Sequence, residues 1–415
     1  MRFAGRERAG TRSMTLNISP EQELHRSDGV RYTSCRDSHV RTNHKSAGRL
    51  KIFLSVTSLD TRYGGPAYSV GRLAAALAES GVEVGLWTPD GSAVDAGFNV
   101  VPLVAANPVR KFQCGLNAAV ALFGSPDVFH DNGIWMPHNH RIAKIASRRG
   151  IPRVVSTRGM LEPWARAHKR FKKSIAWPLY QRRDLECATL LHATSDVEKA
   201  NLMSYSLRPE VSVIPNGVDI PDDVSVELPA SDRSNEKTAL FVGRLYPVKG
   251  LPSLIQAWSS VVPHGWKLVI AGPDEGGHLA QLKRLVAAAG LEGVISFVGH
   301  VEGRAKRALF LSANLFVLPT QSESFGMAIA ESLSYGVPVL TTTAAPWPLL
   351  DGSCGWRVPP DMVGLANGLA LATSIDTEML AIMGQRGREI VMERFQWKNV
   401  ASLFIAEYER LGRRR

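Results

Sequence analysis

Short apolar runs alternate with longer amphipathic segments along most of this chain. The first run, LKIFLSVTSL, has the composition of a buried strand, and a Gly-Gly-Pro turn and a helical pattern over about 67–80 follow it. VEVGLWTP, DVFHDNG and IPRVVSTRG are the next strand-like runs. Strands that alternate with helices predict right-handed crossovers and a parallel sheet, so the predicted fold class is α/β.

The alternation is interrupted once and then starts again. A stretch rich in Pro, Asn, Asp and Ser indicates a linker at about 216–236. Five further strand-like runs follow it, namely TALFVG, WKLVIAG, VISFVGH, NLFVLPT and VPVLTT. The chain therefore predicts two doubly wound, Rossmann-like domains that face each other across a cleft. Ligands bind outside the carboxyl ends of the strands in such sheets, so we expect the site in that cleft.

The two ends of the chain complete the predicted organisation. Residues 1–48 are polar and basic without apolar periodicity, and we expect a disordered extension there. The first Rossmann-like domain then covers 49–218 and the second covers 219–395. Residues 396–415 carry an amphipathic helical pattern, which predicts a helix that crosses back to the first domain.

Composition and charge narrow the class of protein. Hydrophobic residues make up 45% and charged residues 21% of the chain, as in soluble globular proteins. No apolar run is long enough for a spanning helix, and the amino-terminal segment lacks the apolar centre of a secretory signal. The cytoplasm is therefore the expected compartment. The cysteines show no metal or redox spacing and are expected to be reduced thiols; they are Cys35, Cys114, Cys187 and Cys354.

The net charge of +11 gives information about the partners that the protein binds but not about its fold. The chain has no nucleic-acid motif and no aromatic platform signature, so nucleic acid is not an expected partner. A phosphate-bearing substrate or an anionic membrane surface fits the charge better. The second of these leaves open a peripheral position on the inner face of the cell membrane.

Two cations follow the strand TALFVG. Arg244 comes directly after its terminal glycine, and Lys249 precedes Gly250-Leu251-Pro252, which opens a predicted helix. A helix N-terminus with free N–H donors attracts phosphate, and Arg and Lys both suit diphosphate oxygens. The alternative interpretation is a solvated basic loop.

Two carboxylates stand eight positions apart in the segment ESFGMAIAE. Glu323 lies before a predicted helix and Glu331 lies in its second turn. The backbone N–H groups of Phe325, Gly326 and Met327 would point between them, so phosphate could bind the amides and sugar hydroxyls the carboxylates. The alternative is that Glu323 only complements the helix dipole and Glu331 is a surface residue.

Together the segments GRLYPVKG and ESFGMAIAE resemble glycosyltransferase family 4, whose members have the GT-B fold and a Glu-x7-Glu motif. The resemblance extends over nearly all of 50–410 and includes GGPAYSV, DVFHDNGIW, STRGMLEPW and VIPNGVD. It implies an acceptor-binding first domain and a donor-binding second domain. It further implies transfer of a sugar from a UDP- or GDP-linked donor to a glycan or lipid-linked glycan, with no cofactor, in the biosynthesis of exopolysaccharide or lipopolysaccharide. Most members retain the anomeric configuration, so retention is expected.

The resemblance also assigns roles in the donor site. Arg244 and Lys249 would hold the diphosphate, Glu331 would bind the ribose, and Glu323 would contact the donor sugar. The glycine turn Gly64-Gly65 would close over the phosphates and the acceptor. The strand end at Gly299 and His300 would meet the nucleoside base.

One family position departs from the usual pattern. Many relatives carry His-x-His where this chain has His130-Asp131-Asn132, so the second imidazole is absent. The task of that histidine would fall to His130, expected at a strand end facing the cleft, or to Asn132, or would be lost. Arg158, after the next strand, would face either the acceptor or the leaving phosphate. No Asp-x-Asp pair occurs in the sequence, so metal-independent activity is expected.

A basic stretch, WARAHKRFKKSIAWPLYQRRD, carries four interspersed aromatic residues. It predicts either an interfacial patch for an anionic membrane or an amphipathic helix whose aromatics pack inward; the aromatics are Trp164, Phe171, Trp177 and Tyr180.

Two functions other than glycosyl transfer stay open for the protein. A nicotinamide-dependent oxidoreductase would need a G-x-G-x-x-G turn, which GGPAYSVG does not supply. A non-catalytic nucleotide- or carbohydrate-binding protein of the same fold is the other.

Overall fold

The computed structural model describes residues 49–60, 64–91, 109–112, 114–167, 170–222 and 236–413. The extension predicted for 1–48 and most of the predicted linker lie outside the described residues. Two fully parallel sheets with helices between their strands make up the described chain. The prediction of an α/β fold with two doubly wound domains is thereby confirmed.

The first sheet has seven strands in the order β3-β2-β1-β4-β5-β6-β7. The interior strand β1 carries the run KIFLSV, in which Ile52 and Leu54 are fully buried. The strands are β1 (Lys51–Val56), β2 (Glu83–Trp87), β3 (Arg110–Phe112), β4 (Val128–Asn132), β5 (Arg153–Ser156), β6 (Leu190–Ala193) and β7 (Glu210–Val213).

The second sheet has six strands in the order β10-β9-β8-β11-β12-β13. Strand β8 lies beside β11, so the loops after these two strands leave the same edge of the sheet side by side. The strands are β8 (Lys237–Val242), β9 (Trp266–Ala271), β10 (Ile295–Gly299), β11 (Leu315–Leu318), β12 (Val339–Thr342) and β13 (Gly355–Val358).

The helices connect the strands and cover both faces of each sheet. Those of the first half are α1 (Gly65–Glu79), α2 (Leu116–Phe123), α3 (Pro137–Arg149), α4 (Pro163–Ala167), α5 (Arg170–Ala176), α6 (Arg182–Glu186) and α7 (Asp196–Met203). Those that follow are α8 (Leu251–Val261), α9 (His278–Ala288), α10 (Gly303–Ser312), α11 (Met327–Ser334), α12 (Met362–Ser374), α13 (Thr377–Arg394) and α14 (Trp397–Gly412). None of the described helices has the length and apolar composition needed to cross a bilayer.

The chain passes between the two sheets at two neighbouring points. Val218 and Gln396 pair as an isolated parallel bridge, and the Val218 amide donates to the carbonyl of Phe395 at 2.8 Å. After this point α14 packs on the first sheet, where Phe404 and Tyr408 join the core formed by β1 and α1. The last helix therefore stabilises the half of the molecule that is distant from it in sequence.

Candidate active site

Lys249 lies in a single 3-10 turn, Pro247–Lys249, between β8 and α8. The next residue, Gly250, has φ +69°, and a Cβ added there would stand 1.9 Å from the carbonyl oxygen of Pro319. Only glycine fits this close approach to the chain after β11. The amide of Gln321 also donates to the carbonyl of Val248 at 2.7 Å. These contacts hold the lysine loop against the loop that carries ESFG.

The two sequence-distant motifs meet in an ion pair. Lys249 Nζ contacts Glu323 Oε1, and the two side chains are only 17% and 12% exposed. The structure thus brings together one cation and one carboxylate of the predicted site in a partly desolvated position, where charge interactions are stronger than at the surface.

Arg244 occupies the loop just after β8 and faces the first half of the chain. Its Nη1 lies 2.6 Å from Glu275 Oε2, in a half-exposed pair. A Cβ added to Gly64 would be 3.3 Å from Arg244 Nε, and one added to Gly65 would be 3.8 Å from Cγ of Met327. The predicted glycine turn therefore contacts both donor motifs across the interdomain gap.

The start of α11 has the geometry of an anion site. Gly326 precedes the helix with φ +87°, a left-handed conformation that favours glycine. The first-turn amides of a helix have no intrahelical acceptor, which leaves the N–H groups around Gly326 and Met327 for a ligand. The Phe325 side chain itself is buried against Trp347 and Phe395, so it anchors the turn.

Glu331 lies one turn further along α11 and pairs with Lys306 of α10, Nζ to Oε1 2.5 Å. Sequence reasoning missed Lys306 and Glu275; each is an isolated charged residue in a loop or helix without a motif.

The residues expected to meet the nucleoside base, Gly299 and His300, are exposed at the end of the edge strand β10. His300 Nε2 lies 3.0 Å from Glu302 Oε1.

His130 does not face the cleft, and that expectation is wrong. It is fully buried in β4 beneath α14, where Nδ1 lies 2.6 Å from the Tyr408 hydroxyl and Nε2 lies 2.7 Å from Ser156 Oγ. Ser156 Oγ is 2.6 Å from His192 Nδ1, and His192 Nε2 is 2.8 Å from the carbonyl oxygen of Ile214.

The carbonyl at the end of this series of hydrogen bonds determines which group donates in each of them. The carbonyl of Ile214 can only accept, so His192 donates through Nε2 and accepts the Ser156 hydroxyl proton at Nδ1. Ser156 then accepts from His130 Nε2, and the Tyr408 hydroxyl donates to His130 Nδ1. Burial lowers the pKa of His130 well below its ordinary value and that of His192 to about 3, with Arg158 acting in the same direction. Both imidazoles are neutral and serve to hold α14 on the sheet.

Asn132 and Arg158 lie together at the carboxyl ends of β4 and β5. Nη2 and Nε of Arg158 donate to Asn132 Oδ1 at 2.7 and 3.2 Å. Its Nη1 donates to Asn216 Oδ1 at 2.6 Å and lies 3.4 Å from Ser69 Oγ. Burial lowers the pKa of Arg158 to about 10. The guanidinium thus connects β4, α1 and the segment that leads to the second sheet.

The loop after β5 also contacts the ESFG segment, a contact that the sequence did not predict. A Cβ added to Gly159 would be 3.1 Å from Cβ of Ser324, and Thr194 Oγ1 lies 3.0 Å from the Ser324 carbonyl oxygen. Glu198 fixes this loop by accepting from Thr157 Oγ1 and the Gly159 amide, both at 2.7 Å. The sequence contains Glu198 as part of a Ser-x-x-Glu pattern at the start of α7. That pattern predicts only a local helix cap, and it gives no indication that Glu198 binds the loop after β5.

Asp219 makes a further contact that the sequence did not predict. Its Oδ1 accepts from Nε and Nη2 of Arg72 at 2.9 and 2.5 Å, and its Oδ2 accepts from the Tyr68 hydroxyl. Helix α1, which begins in the glycine turn, is thereby attached to the residue that follows Val218. The position of the glycine turn and the passage between the sheets are mechanically linked.

Glu162 is a buried carboxyl group that follows Gly159 in the loop after β5. It is 7% exposed; Oε2 accepts from Asn201 Nδ2, and Oε1 has no hydrogen-bond partner among the described residues. Glu198 lies beside it, and the two side chains line a crevice with no room for a water molecule. Burial, and to a lesser extent the neighbouring Glu198, together raise the pKa of Glu162 to about 7, while the hydrogen bond from Asn201 acts in the opposite direction.

The raised pKa of Glu162 predicts a pH-dependent stability. Because the folded-state pKa exceeds the ordinary value of 4.5, the folded state loses stability relative to the unfolded state as pH rises from 4.5 through about 7. Glu162→Gln removes that loss. We expect its free energy of unfolding to exceed that of the wild type by up to about 3 kcal/mol at pH 8 and to approach it near pH 4.5.

Urea unfolding of both proteins across this pH range checks the prediction, and Glu292→Gln, at an exposed position, is the control. A difference between Glu162→Gln and wild type that does not vary with pH would contradict it.

Two family models match the chain, one in each half. The model described as "Glycosyl transferase 4-like domain" matches residues 64–217, and the model described as "Glycosyl transferases group 1" matches 228–389. A D-inositol 3-phosphate glycosyltransferase of Mycobacterium tuberculosis is 30% identical over 189 residues, which cover 42% of this chain and 38% of that relative. The match therefore spans less than half of the curated relative's length.

Solved structures share the whole two-domain arrangement. Sucrose-phosphate synthase from Thermosynechococcus elongatus superposes with a TM-score of 0.68 at 20% identity, covering 88% of this chain and 99% of that one. Anabaena HepE in complex with UDP and glucose gives a TM-score of 0.68 at 21% identity, covering 87% of this chain and 100% of that one. At these identities the likeness concerns the fold, which is GT-B.

Proposed function

The chain belongs to glycosyltransferase family 4 of the GT-B fold, and from this premise we propose that it transfers a sugar from a nucleotide sugar to a hydroxyl of a glycan or lipid-linked glycan. The supporting observation is the meeting of two distant motifs at one place. Lys249 pairs with Glu323, and the glycine turn of the first half touches both Arg244 and the start of α11.

The proposed donor pose follows from the charges at this place. The diphosphate lies between Arg244, Lys249 and the first-turn amides of α11, and Glu331 accepts from the ribose hydroxyls. Glu323 accepts from a hydroxyl of the donor sugar. Each cation already has a carboxylate partner, so a bound diphosphate competes with Glu275 for Arg244 and with Glu323 for Lys249.

The proposed chemistry is departure of the nucleoside diphosphate with attack of the acceptor hydroxyl on the same face of the sugar. Negative charge develops on the leaving phosphate, and Arg244 and Lys249 stabilise it. The leaving phosphate takes the acceptor proton, since His130 is enclosed and cannot serve as a base at the cleft. The proposal includes a hexosyl donor, retention of configuration, activity without a metal, and a role in the assembly of a polysaccharide in the cytoplasm.

A panel of nucleotide sugars tests the function directly. UDP-linked sugars come first because the Anabaena neighbour was solved with UDP and with UDP-glucose; GDP-linked sugars follow. We expect one donor to raise the unfolding temperature and to release its nucleoside diphosphate in the presence of the protein, while the free nucleoside has little effect. Stabilisation without any turnover, with water or acceptor mixtures, would favour a non-catalytic binding protein. No stabilisation by any member of the panel would contradict the proposal.

A further inference from the structure

Three large apolar side chains lie exposed in a row on the first half of the chain. Phe171 is 76% exposed, Ile175 53% and Leu179 76%. They belong to α5 and to the π-helical turn Trp177–Gln181, which continues directly into α6. Residues four apart share one face of a helix, so the three side chains form a single apolar stripe. Contiguous exposed apolar surface of this kind indicates an interaction site.

Cations border this stripe. Exposed basic residues precede it, lie within it and follow it in the same helical segment: Arg170, Lys172, Arg182 and Arg183. Of the two nearby carboxylates, Asp184 is buried and paired with His140, and Glu186 pairs with Arg182. The outward charge of the segment is therefore positive, and it complements an anionic surface.

The opposite face of the segment is attached firmly to the protein. Trp177 packs against Trp135 and Tyr205, with ring centroids 6.1 and 5.2 Å apart. The Tyr180 hydroxyl donates to the carbonyl of Trp135 at 2.8 Å, and Gln181 Oε1 accepts from the Trp135 amide at 2.8 Å. The stripe is thus the outer face of an anchored helix, and of the four aromatic residues in this stretch only Phe171 points away from the protein.

The segment begins next to the proposed active site. Trp164, in α4, packs edge-on against Tyr246 of the Arg244 loop, with centroids 5.7 Å apart. Helix α4 starts three residues after Met160, in the loop whose Gly159 approaches Ser324. Helix α4, which precedes the stripe in the chain, therefore lies against the loop that carries Arg244.

We propose that the stripe Phe171-Ile175-Leu179 and its bordering cations dock the protein on a bilayer that contains anionic phospholipid. The apolar side chains enter the interface between headgroups and acyl chains, while the cations contact the headgroup phosphates. The docking face brings a membrane-borne acceptor to the cleft; in this respect the inference rests on the function proposed above.

Vesicle co-sedimentation of the full chain tests the proposal. We expect binding to vesicles of phosphatidylcholine with phosphatidylglycerol, little binding to phosphatidylcholine alone, and weaker binding as salt increases. Phe171→Ser/Leu179→Ser should lower the partition coefficient on the anionic vesicles by at least about tenfold, given the apolar area removed. Val363→Ser/Leu371→Ser, which changes two side chains of α12 that are 60% and 50% exposed, is the matched control and should bind as the wild type does.

Three results would overturn the proposal: equal binding to both vesicle types, no binding at all, or the same partition for the stripe and control variants. A concentration-dependent dimer that the stripe variant abolishes would also overturn it and assign the stripe to a second copy of the chain. Nucleotide-sugar stabilisation is measured on the same samples. If the protein binds the nucleotide sugar but does not bind vesicles, only the proposed docking face is refuted. If it binds vesicles but no nucleotide sugar, only the proposed function is refuted.

Discussion

Lys249→Ala is expected to lower kcat for glycosyl transfer on the order of 30- to 1,000-fold, which corresponds to about 2–4 kcal/mol of transition-state stabilisation. The lysine is 17% exposed, and in the proposed donor pose it contacts the leaving diphosphate as that group gains charge. Its removal also leaves Glu323 without its cation, so the site becomes more negative when the transition state requires the opposite. The effect is measured as the rate of nucleoside diphosphate release with whichever donor the panel of nucleotide sugars identifies.

A lysine in the same domain provides the control for this variant. Lys267→Ala breaks an ion pair with Glu236 in which both side chains are about half exposed, at 43% and 53%. An exposed pair contributes about 0–1 kcal/mol to stability, and we expect turnover near that of wild type. If Lys249→Ala and Lys267→Ala turn over alike, the assignment of Lys249 to the diphosphate is wrong.

Gly250→Ala is expected to destabilise the protein by about 3–5 kcal/mol, the largest loss that we predict from a single methyl group. Alanine at φ +69° carries the strain of a left-handed residue, about 1–2 kcal/mol. In addition the new Cβ would overlap the carbonyl oxygen of Pro319, 1.9 Å away, so the backbone would have to move as in an overpacked core. The free energy of unfolding in urea measures the loss, and the Lys249 loop should lose its contact with the loop after β11.

Gly276→Ala separates the strain from the clash. Gly276 has φ +72°, but a Cβ there meets no atom within 4 Å. This control should therefore lose only the left-handed strain, about 1–2 kcal/mol. Equal losses for Gly250→Ala and Gly276→Ala would show that the close packing of the two loops does not exist in solution.

Long apolar runs made most of the fold predictable. The runs around β1, β8 and β9 bury nearly every side chain, and such continuous patterns identify central strands of a parallel sheet. Four short strands were not identified, namely β3, β6, β7 and β13. Strand β6 is buried and lies inside its sheet, but its apolar run has only four residues. The other three have three or four residues with partly exposed side chains, and each pairs with a single neighbour at the edge of its sheet.

Part of the site could be inferred because sheet topology constrains it. The loops after β8 and β11 carry Lys249 and Glu323, and these strands are neighbours, so two distant motifs had to emerge side by side. His130 shows the opposite case. Its place at the end of an apolar run suggested exposure, but the group that covers it, Tyr408, comes from a helix 278 residues later in the chain. Nothing near position 130 signals that partner.

The partners of the site's charged groups could not be predicted for a related reason. Glu275 contacts Arg244 from the loop after β9, and Lys306 contacts Glu331 from helix α10. Both contacts depend on the assembled sheet. An isolated acid or base at such a position belongs to no motif, so the sequence alone does not distinguish it from a solvated residue.

A crystal structure of the protein with its nucleoside diphosphate sugar would show whether the two motifs form one donor site. We expect the diphosphate within hydrogen-bond distance of Arg244 and Lys249, with the amides at the start of α11 on the same phosphates and the ribose hydroxyls on Glu331. A donor bound elsewhere, or bound in this cleft with its diphosphate turned away from both cations, would contradict it.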